Sequence, residues 1–150
     1  FFTSQGEFSA LKQAVQDYER NATSLYWDPA NFLPVYAENQ AEQDKISQIF
    51  PELQSLKENQ QYAGHQLVSV NFISHDFESE ERATATVREV WDDKLYKGEY
   101  PDIDSPVIGQ RGPYSLDVTY TIQRFPSDFG PRWEVVSASY SQPMPEWQMN

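Results

Sequence analysis

The spacing of the apolar residues changes near Gly64, and this change limits the fold class more than any other feature of the sequence. Before Gly64 they recur at helical spacing, as in Phe8, Leu11, Val15 and Tyr18, and again in Ile46, Ile49, Phe50, Leu53 and Leu56. Beyond it they alternate, as in Tyr114, Leu116, Val118, Tyr120 and Ile122, and later in Trp133 and Val135. Helices followed by long strands predict an α+β fold, with N-terminal helices packed on one face of an antiparallel, four-stranded sheet.

Caps and prolines divide the helical half. We predict a first helix over residues 6–23 and a short second helix over residues 28–37, where Asp28-Pro29 suits an N-cap and first helical position. A third segment, residues 40–50, should break or kink at Pro51, because proline removes a backbone hydrogen bond and clashes inside a helix. Helix should then resume and end at Gly64 as a C-terminal cap.

The second half contains four predicted strands and one long connection. The strands are expected at residues 66–75, 82–96, 114–125 and 132–140. The connection over residues 97–113 is rich in Gly, Pro and Asp and exceeds ordinary loop lengths, which is typical of functional or mobile loops. We therefore expect a lead-in over residues 1–7, one α+β domain over residues 8–140 and a C-terminal tail over residues 141–150.

Charge and composition exclude several classes of function. Asp and Glu outnumber Lys and Arg by 23 to 11, which gives a net charge of −12. A nucleic-acid-binding surface needs an excess of basic residues, and anionic lipid headgroups would repel this chain. Cysteine is absent, which excludes disulfides and thiolate metal sites, and no apolar run is long enough to span a membrane. Since the chain does not begin with Met, we expect it to be part of a larger protein, with an anchor or another domain upstream.

Histidines and acidic runs indicate no metal or cofactor site. His65 and His75 lie at opposite ends of a predicted strand, up to ~33 Å apart, and cannot share a metal ion. The acidic runs fall in predicted turns and lack the spacing of a calcium loop. We therefore expect neither a metal nor a cofactor.

Glu89 is the most informative single candidate. It stands between Val87 and Trp91 on the predicted apolar face of the second strand. A buried glutamate needs a partner or a raised pKa and is then a site candidate. The alternative is that the sheet turns this face to solvent, or that a bulge re-aims the side chain.

Large aromatic side chains flank the long loop and form the second candidate surface. Aromatic residues are enriched at protein interfaces, although the same residues also build ordinary cores. The candidate binding residues are Glu89, Trp91, Tyr96, Tyr100, Tyr120 and Trp133.

The order of elements and a few segments resemble the nuclear transport factor two-like, or cystatin-like, superfamily. The segments are Ala85-Thr-Val-Arg-Glu-Val-Trp91, Tyr96-Lys-Gly98, Tyr114-Ser-Leu-Asp-Val-Thr-Tyr120 with Arg124, and Trp133-Glu-Val-Val136. Within the superfamily they look most like the intermembrane-space-type domain of plastid division proteins and cyanobacterial membrane proteins. The resemblance implies a curved sheet closed by helices into a cone. It further implies a non-catalytic domain on the far side of a membrane, which binds a protein partner or associates with itself.

Two functions remain open from the sequence. The first is a non-catalytic protein-interaction or sensing domain, an extracytoplasmic part of a membrane-anchored protein, with its contacts on the open sheet face and the loop over residues 97–113. The second is a small-molecule-binding protein or isomerase-like enzyme, with Glu89 in a pocket between sheet and helices. The second function requires a closed cavity into which Glu89 points.

Overall fold

Two helices and five strands follow one another along the chain in a computed structural model that describes residues 4–25, 40–98, 104–126, 128 and 132–150. The helices and strands are α1 (Ser4–Leu25), α2 (Gln40–Glu58), β1 (Gln61–Phe77), β2 (Arg82–Lys97), β3 (Val107–Phe125), β4 (Arg132–Tyr140) and β5 (Gln148–Met149). No helix of the described segments is both long and apolar enough to cross a bilayer.

The four long strands form one antiparallel sheet in the order β1-β2-β3-β4, and the two-residue strand β5 pairs with the start of β3. The sheet is open, with β1 and β4 at its edges. Both helices pack on this sheet, so the predicted α+β class with helices on a four-stranded antiparallel sheet is confirmed.

Strict alternation in β2 determines which face of the sheet is buried. Every second residue from Ala83 to Leu95 is buried, and the residues between them are half-buried or exposed. The buried set meets one face of α1, where Leu11, Val15 and Tyr18 recur at helical spacing. The core therefore lies between α1 and one face of the sheet, and the polar residues of that face are forced into it.

Of the break or kink predicted at Pro51, the break is wrong, because α2 continues through this residue to Glu58. Pro51 is exposed, whereas Leu53 and Leu56 are buried against Ala63 and Leu95. Burial of two leucines, at roughly 1.5–3 kcal/mol each, offsets the backbone hydrogen bond that proline cannot make.

The helix-to-strand boundary lies at Gln60 rather than at Gly64, which is an interior residue of β1. Gln60 adopts a left-handed backbone conformation with φ 56° and reverses the chain without a glycine. The side chain of Asn59 donates to the carbonyl oxygen of Ser55 at 2.8 Å and satisfies part of the helix end.

Strand β3 begins seven residues earlier than predicted, so the connection between β2 and β3 is shorter than residues 97–113. Gly and Pro at 109, 112 and 113 indicated a loop, but this segment pairs with the end of β2. Gly112 has φ +110°, and a Cβ there would lie 2.8 Å from the carbonyl oxygen of Trp91, so this irregular part of the ladder requires glycine. The predicted short helix over residues 28–37 lies outside the described residues.

Candidate functional site

Two glutamates from distant parts of the chain meet inside the core. Glu19 follows the apolar stripe of α1, and Glu89 lies on the inward face of β2. Their exposed fractions are 2% and 1%. The alternative in which the sheet turns Glu89 to solvent is therefore wrong, and its burial requires partners.

Glu89 has two hydrogen-bond donors of its own. The Trp91 indole Nε1 donates to Glu89 Oε1 at 2.9 Å, from two residues further along the same face of β2. The Tyr120 hydroxyl, which reaches over from β3, donates to Glu89 Oε2 in a short hydrogen bond. Both oxygens of the Glu89 carboxyl group therefore accept a hydrogen bond inside the core.

Glu19 is held in its protonated form. Burial, the hydrogen bond to Glu89 and the charge of Glu89 together raise the pKa of Glu19 to about 10. At neutral pH the protonated Glu19 therefore donates a hydrogen bond to Glu89. Burial and the charge of Glu89 also raise the pKa of Tyr120 well above its usual value, which keeps the hydroxyl available as a donor.

A second polar network crosses three strands in one row of the sheet. His65, Asp93 and Arg111 are register partners on β1, β2 and β3. His65 Nδ1 lies 2.7 Å from Asp93 Oδ1, and Arg111 Nε donates to Asp93 Oδ2 at 2.8 Å. Tyr114 donates its hydroxyl to the same Asp93 oxygen at 2.8 Å.

These contacts determine the charge of Asp93. Burial alone would raise its pKa, but the hydrogen bond from His65 and the charges of His65 and Arg111 outweigh it, and the pKa of Asp93 is lowered. The ring of His65 also stacks on Trp91 with centroids 3.8 Å apart, so the two networks touch through this pair.

The C-terminal tail closes the second network from outside. Arg111 Nη1 and Trp147 Nε1 both donate to Glu52 Oε1 at 2.9 Å, and the guanidinium lies 4.1 Å from the centre of the Trp147 ring. Residues 148 and 149 then pair with Gln110 and Gly109 of β3. The tail is thus a part of the fold that joins α2 to the sheet.

The space around the glutamate pair is small. A cavity of about 10 Å³ remains between the two networks, which is room for roughly one water molecule. Its lining comprises Tyr18, Glu19, His65, Glu89, Trp91, Leu116, Tyr120, Tyr140 and Met144. A wider, open groove of about 670 Å³ lies beside it, between α2, the end of β4 and the start of the tail.

The candidate binding residues fall in three different places. Trp91 and Tyr120 are buried and act as donors to Glu89, so these three residues are together in the core. Tyr96 stacks on Tyr62 at a centroid distance of 5.0 Å. Trp133 packs against Phe77 with centroids 6.0 Å apart, and Tyr100 lies outside the described residues.

Sequence reasoning missed Glu19, Asp93 and Arg111. A signal existed for two of them: Glu19 lies next to Tyr18 on the apolar stripe of α1, and Asp93 continues the inward face of Glu89 and Trp91. Arg111 lies in the segment that was predicted as a loop, and the sequence offered no signal for its role. Within the described part of the chain, no group of three or more His, Asp or Glu side chains could hold a metal ion.

The sequence matches no protein-family model and no curated protein sequence. Among solved structures it is similar to the crystal structure of the intermembrane space region of the chloroplast protein ARC6. The TM-score is 0.54 and the sequence identity 12%, and the match covers 88% of this chain and 94% of that one. The chain is therefore structurally related to the ARC6 intermembrane-space region, and at this identity the relationship concerns the fold alone.

Proposed function

We propose that this chain is a non-catalytic protein-interaction or sensing domain and the extracytoplasmic part of a larger, membrane-anchored protein. The observation that carries the proposal is the filled interior. The polar side chains between α1 and the sheet bind one another and leave about 10 Å³, which no organic substrate fits. The alternative, a small-molecule-binding protein or isomerase-like enzyme, needs an open pocket at Glu89, so we assign the main function to the surface.

The open face of the sheet is the surface that we assign to a partner. It is formed by the outward residues of β2 and β3 and is polar: Thr84, Thr86, Arg88, Asp117, Thr119 and Thr121. Arg88 and Asp117 pair in its middle at 2.9 Å and stay 53% and 39% exposed. A polar, hydrogen-bonding face suits a partner that binds reversibly, because permanent interfaces are more apolar.

The aromatic residues at the end of β2 extend this surface in the proposal. Tyr96 is half-buried, and its stacking on Tyr62 fixes the ring beside the connection to β3. We propose that Tyr96 forms the edge of the contact area and that Tyr100, which lies outside the described residues, also takes part in binding. Trp91 and Tyr120 support this surface from the buried side of the same strands.

The fold similarity supports the assignment of family and compartment. The ARC6 neighbour is an intermembrane-space region of a chloroplast protein. The sequence segments quoted above resemble that group and the nuclear transport factor two-like superfamily. We propose membership of that superfamily and a position on the far side of a membrane.

Site-specific photo-crosslinking in the native host tests the interaction role. A photo-reactive residue at Thr119, on the open face, should capture a defined protein or a second copy of the chain. The same residue at Gln13, on the exposed side of α1, is the matched control. Equal products from both positions, or none from Thr119, would contradict the proposed surface.

Protease protection of the full natural gene product tests the proposed compartment. An epitope in this domain should remain intact when protease is added on the cytoplasmic side and should be lost after the membrane is opened. Digestion before the membrane is opened, or recovery without any membrane association, would overturn the localisation.

A further inference from the structure

Strand β1 forms one edge of the sheet, and the second half of this strand is accessible. Among the described strands, only β2 pairs with it. From residue 66 to residue 76 its side chains are exposed or half-buried. The backbone donors and acceptors on the side away from β2 are therefore available to another strand, and such an edge is a template for pairing with a further chain.

The side chains of this edge lack the usual protection against pairing. Natural edge strands carry charged residues, above all lysine, or proline. Residues 59–75 contain no Asp, Glu, Lys, Arg or Pro and form the longest stretch of the chain without a formal charge. The opposite edge strand, β4, carries Arg132 and Glu134. Of the two edges, that of β1 is the one that accepts a strand without burying a charge.

Two β-bulges place apolar side chains on the β1 edge. Val68 and Ile73 are the extra residues at the two register shifts between β1 and β2. They are 57% and 48% exposed and count among the four large apolar side chains that the described residues expose. Bulges also guard an edge, but a guard needs no valine or isoleucine in contact with water. The apolar bulge residues therefore indicate a surface that is covered when the edge is used.

The position of the bulges selects a second copy of the chain as the occupant. The bulges flank residues 69–72, which pair with β2 in regular register. A two-fold axis at Val70 or Asn71 sets an antiparallel copy against this segment. Val68 of each copy then lies within one residue of Ile73 of the other, so one symmetry operation covers both apolar residues, as an isologous interface requires. Each copy has a net charge of −12, and an uncharged edge adds nothing to the repulsion between them.

We propose that two copies of this chain pair through their β1 edges, antiparallel and about this axis, so that their two sheets become one continuous sheet. Backbone hydrogen bonds and the covered side chains of Val68 and Ile73 form the contact. It is smaller than the interface of a permanent dimer, so the dimer forms reversibly at about 100 µM chain. The inference deepens the proposed interaction role by naming a second copy as one partner, but it uses no contact of the open sheet face.

Sedimentation equilibrium tests the dimer. Between about 5 and 500 µM the unchanged chain should pass from monomer to dimer. Val68→Lys sets like charges beside the axis and should weaken dimerisation about tenfold or more. Val107→Lys is the matched control, because it makes the same exchange at an exposed valine of β3, and it should dimerise like the unchanged chain. A monomer at every concentration, or an equal effect of the two substitutions, would overturn the proposal.

Cysteine substitutions locate the contact. The chain has no cysteine, so a disulfide between two copies reports only the introduced residue. Asn71→Cys lies at the proposed axis and should give a disulfide-linked dimer when oxidised with copper phenanthroline, whereas Thr119→Cys on the open face should stay monomeric. No disulfide at Asn71→Cys, or one that forms no faster than at Thr119→Cys, would refute the edge dimer. The open face is judged separately by the photo-crosslinking at Thr119, and if Val68→Lys does not fold, the two cysteine variants alone decide.

Discussion

Substitution of Glu19 by glutamine should change how stability depends on pH. The pKa of Glu19 is raised from 4.5 to about 10 in the folded state. Between these two values the folded chain keeps a proton that the unfolded chain has released, so the free energy of unfolding falls as pH rises. Below pH 4.5 both states hold the proton and this dependence vanishes.

The magnitude follows from the two pKa values. The loss amounts to about 1.4 kcal/mol per pH unit, or about 4 kcal/mol between pH 5 and pH 8. Glu19→Gln keeps the shape of the side chain, and its amide donates to Glu89 as the protonated carboxyl does. The free energy of unfolding of Glu19→Gln should therefore not fall in this way. Its excess over the free energy of unfolding of the unchanged chain should grow steadily with pH.

Urea unfolding at pH 5, 6, 7 and 8, followed by circular dichroism, measures this difference. Asp17→Asn is the control, because it makes the same change from carboxyl to amide on the exposed side of the same helix. We expect its difference from the unchanged chain to stay flat over this range. A Glu19→Gln difference that is also flat would refute the raised pKa of Glu19.

Three further substitutions test the second network and the backbone. Asp93→Asn should cost about 3–5 kcal/mol at pH 7, because it removes the buried carboxylate that binds Arg111 Nε and His65, while Glu52 contacts Arg111 only at Nη1. Since the pKa of Asp93 is lowered, its contribution is present above pH 3.8 and lost as pH falls through the folded value, so the two urea midpoints should converge in acid. Trp147→Phe keeps a ring beside Arg111 but loses the hydrogen bond to Glu52; we expect a loss of about 0.5–1.5 kcal/mol in urea, and no change would argue against this contact. Gly112→Ala should cost about 1–3 kcal/mol by thermal unfolding, because the left-handed backbone at Gly112 and the nearby Trp91 carbonyl exclude a Cβ. Unchanged stability would show that the pairing of β2 with β3 can relax around an added Cβ.

The fold class was accessible from the sequence because it depends on periodicity, which is a local property. Alternation in β2 placed Glu89 and Trp91 on one face, and the structure has them there. The strand over residues 132–140 was predicted with the bounds it has. These features need only the rule that one face of a strand is buried.

Local signals were misleading where long-range packing opposed them. Pro51 reads as a break, but burial of Leu53 and Leu56 keeps α2 continuous. The Gly and Pro residues before Tyr114 read as a loop, but pairing with β2 draws them into β3. In each case the free energy of tertiary burial and pairing exceeds a local preference of a few kcal/mol.

The sequence by itself determined that helices precede an alternating, antiparallel sheet and that Glu89 shares one face of β2 with Val87 and Trp91, but it left open whether that face is buried at Glu89. Only the tertiary structure decided that Glu19, seventy residues earlier, lies against Glu89, and that strand register aligns His65, Asp93 and Arg111 in one row. It also brought Met144 of the tail onto both hydrophobic clusters and Trp147 onto the cluster of Leu53, Leu56, Ala63 and Leu95. The physical reason is that register and helix position are set by burial summed over the whole chain, and no local pattern contains that sum.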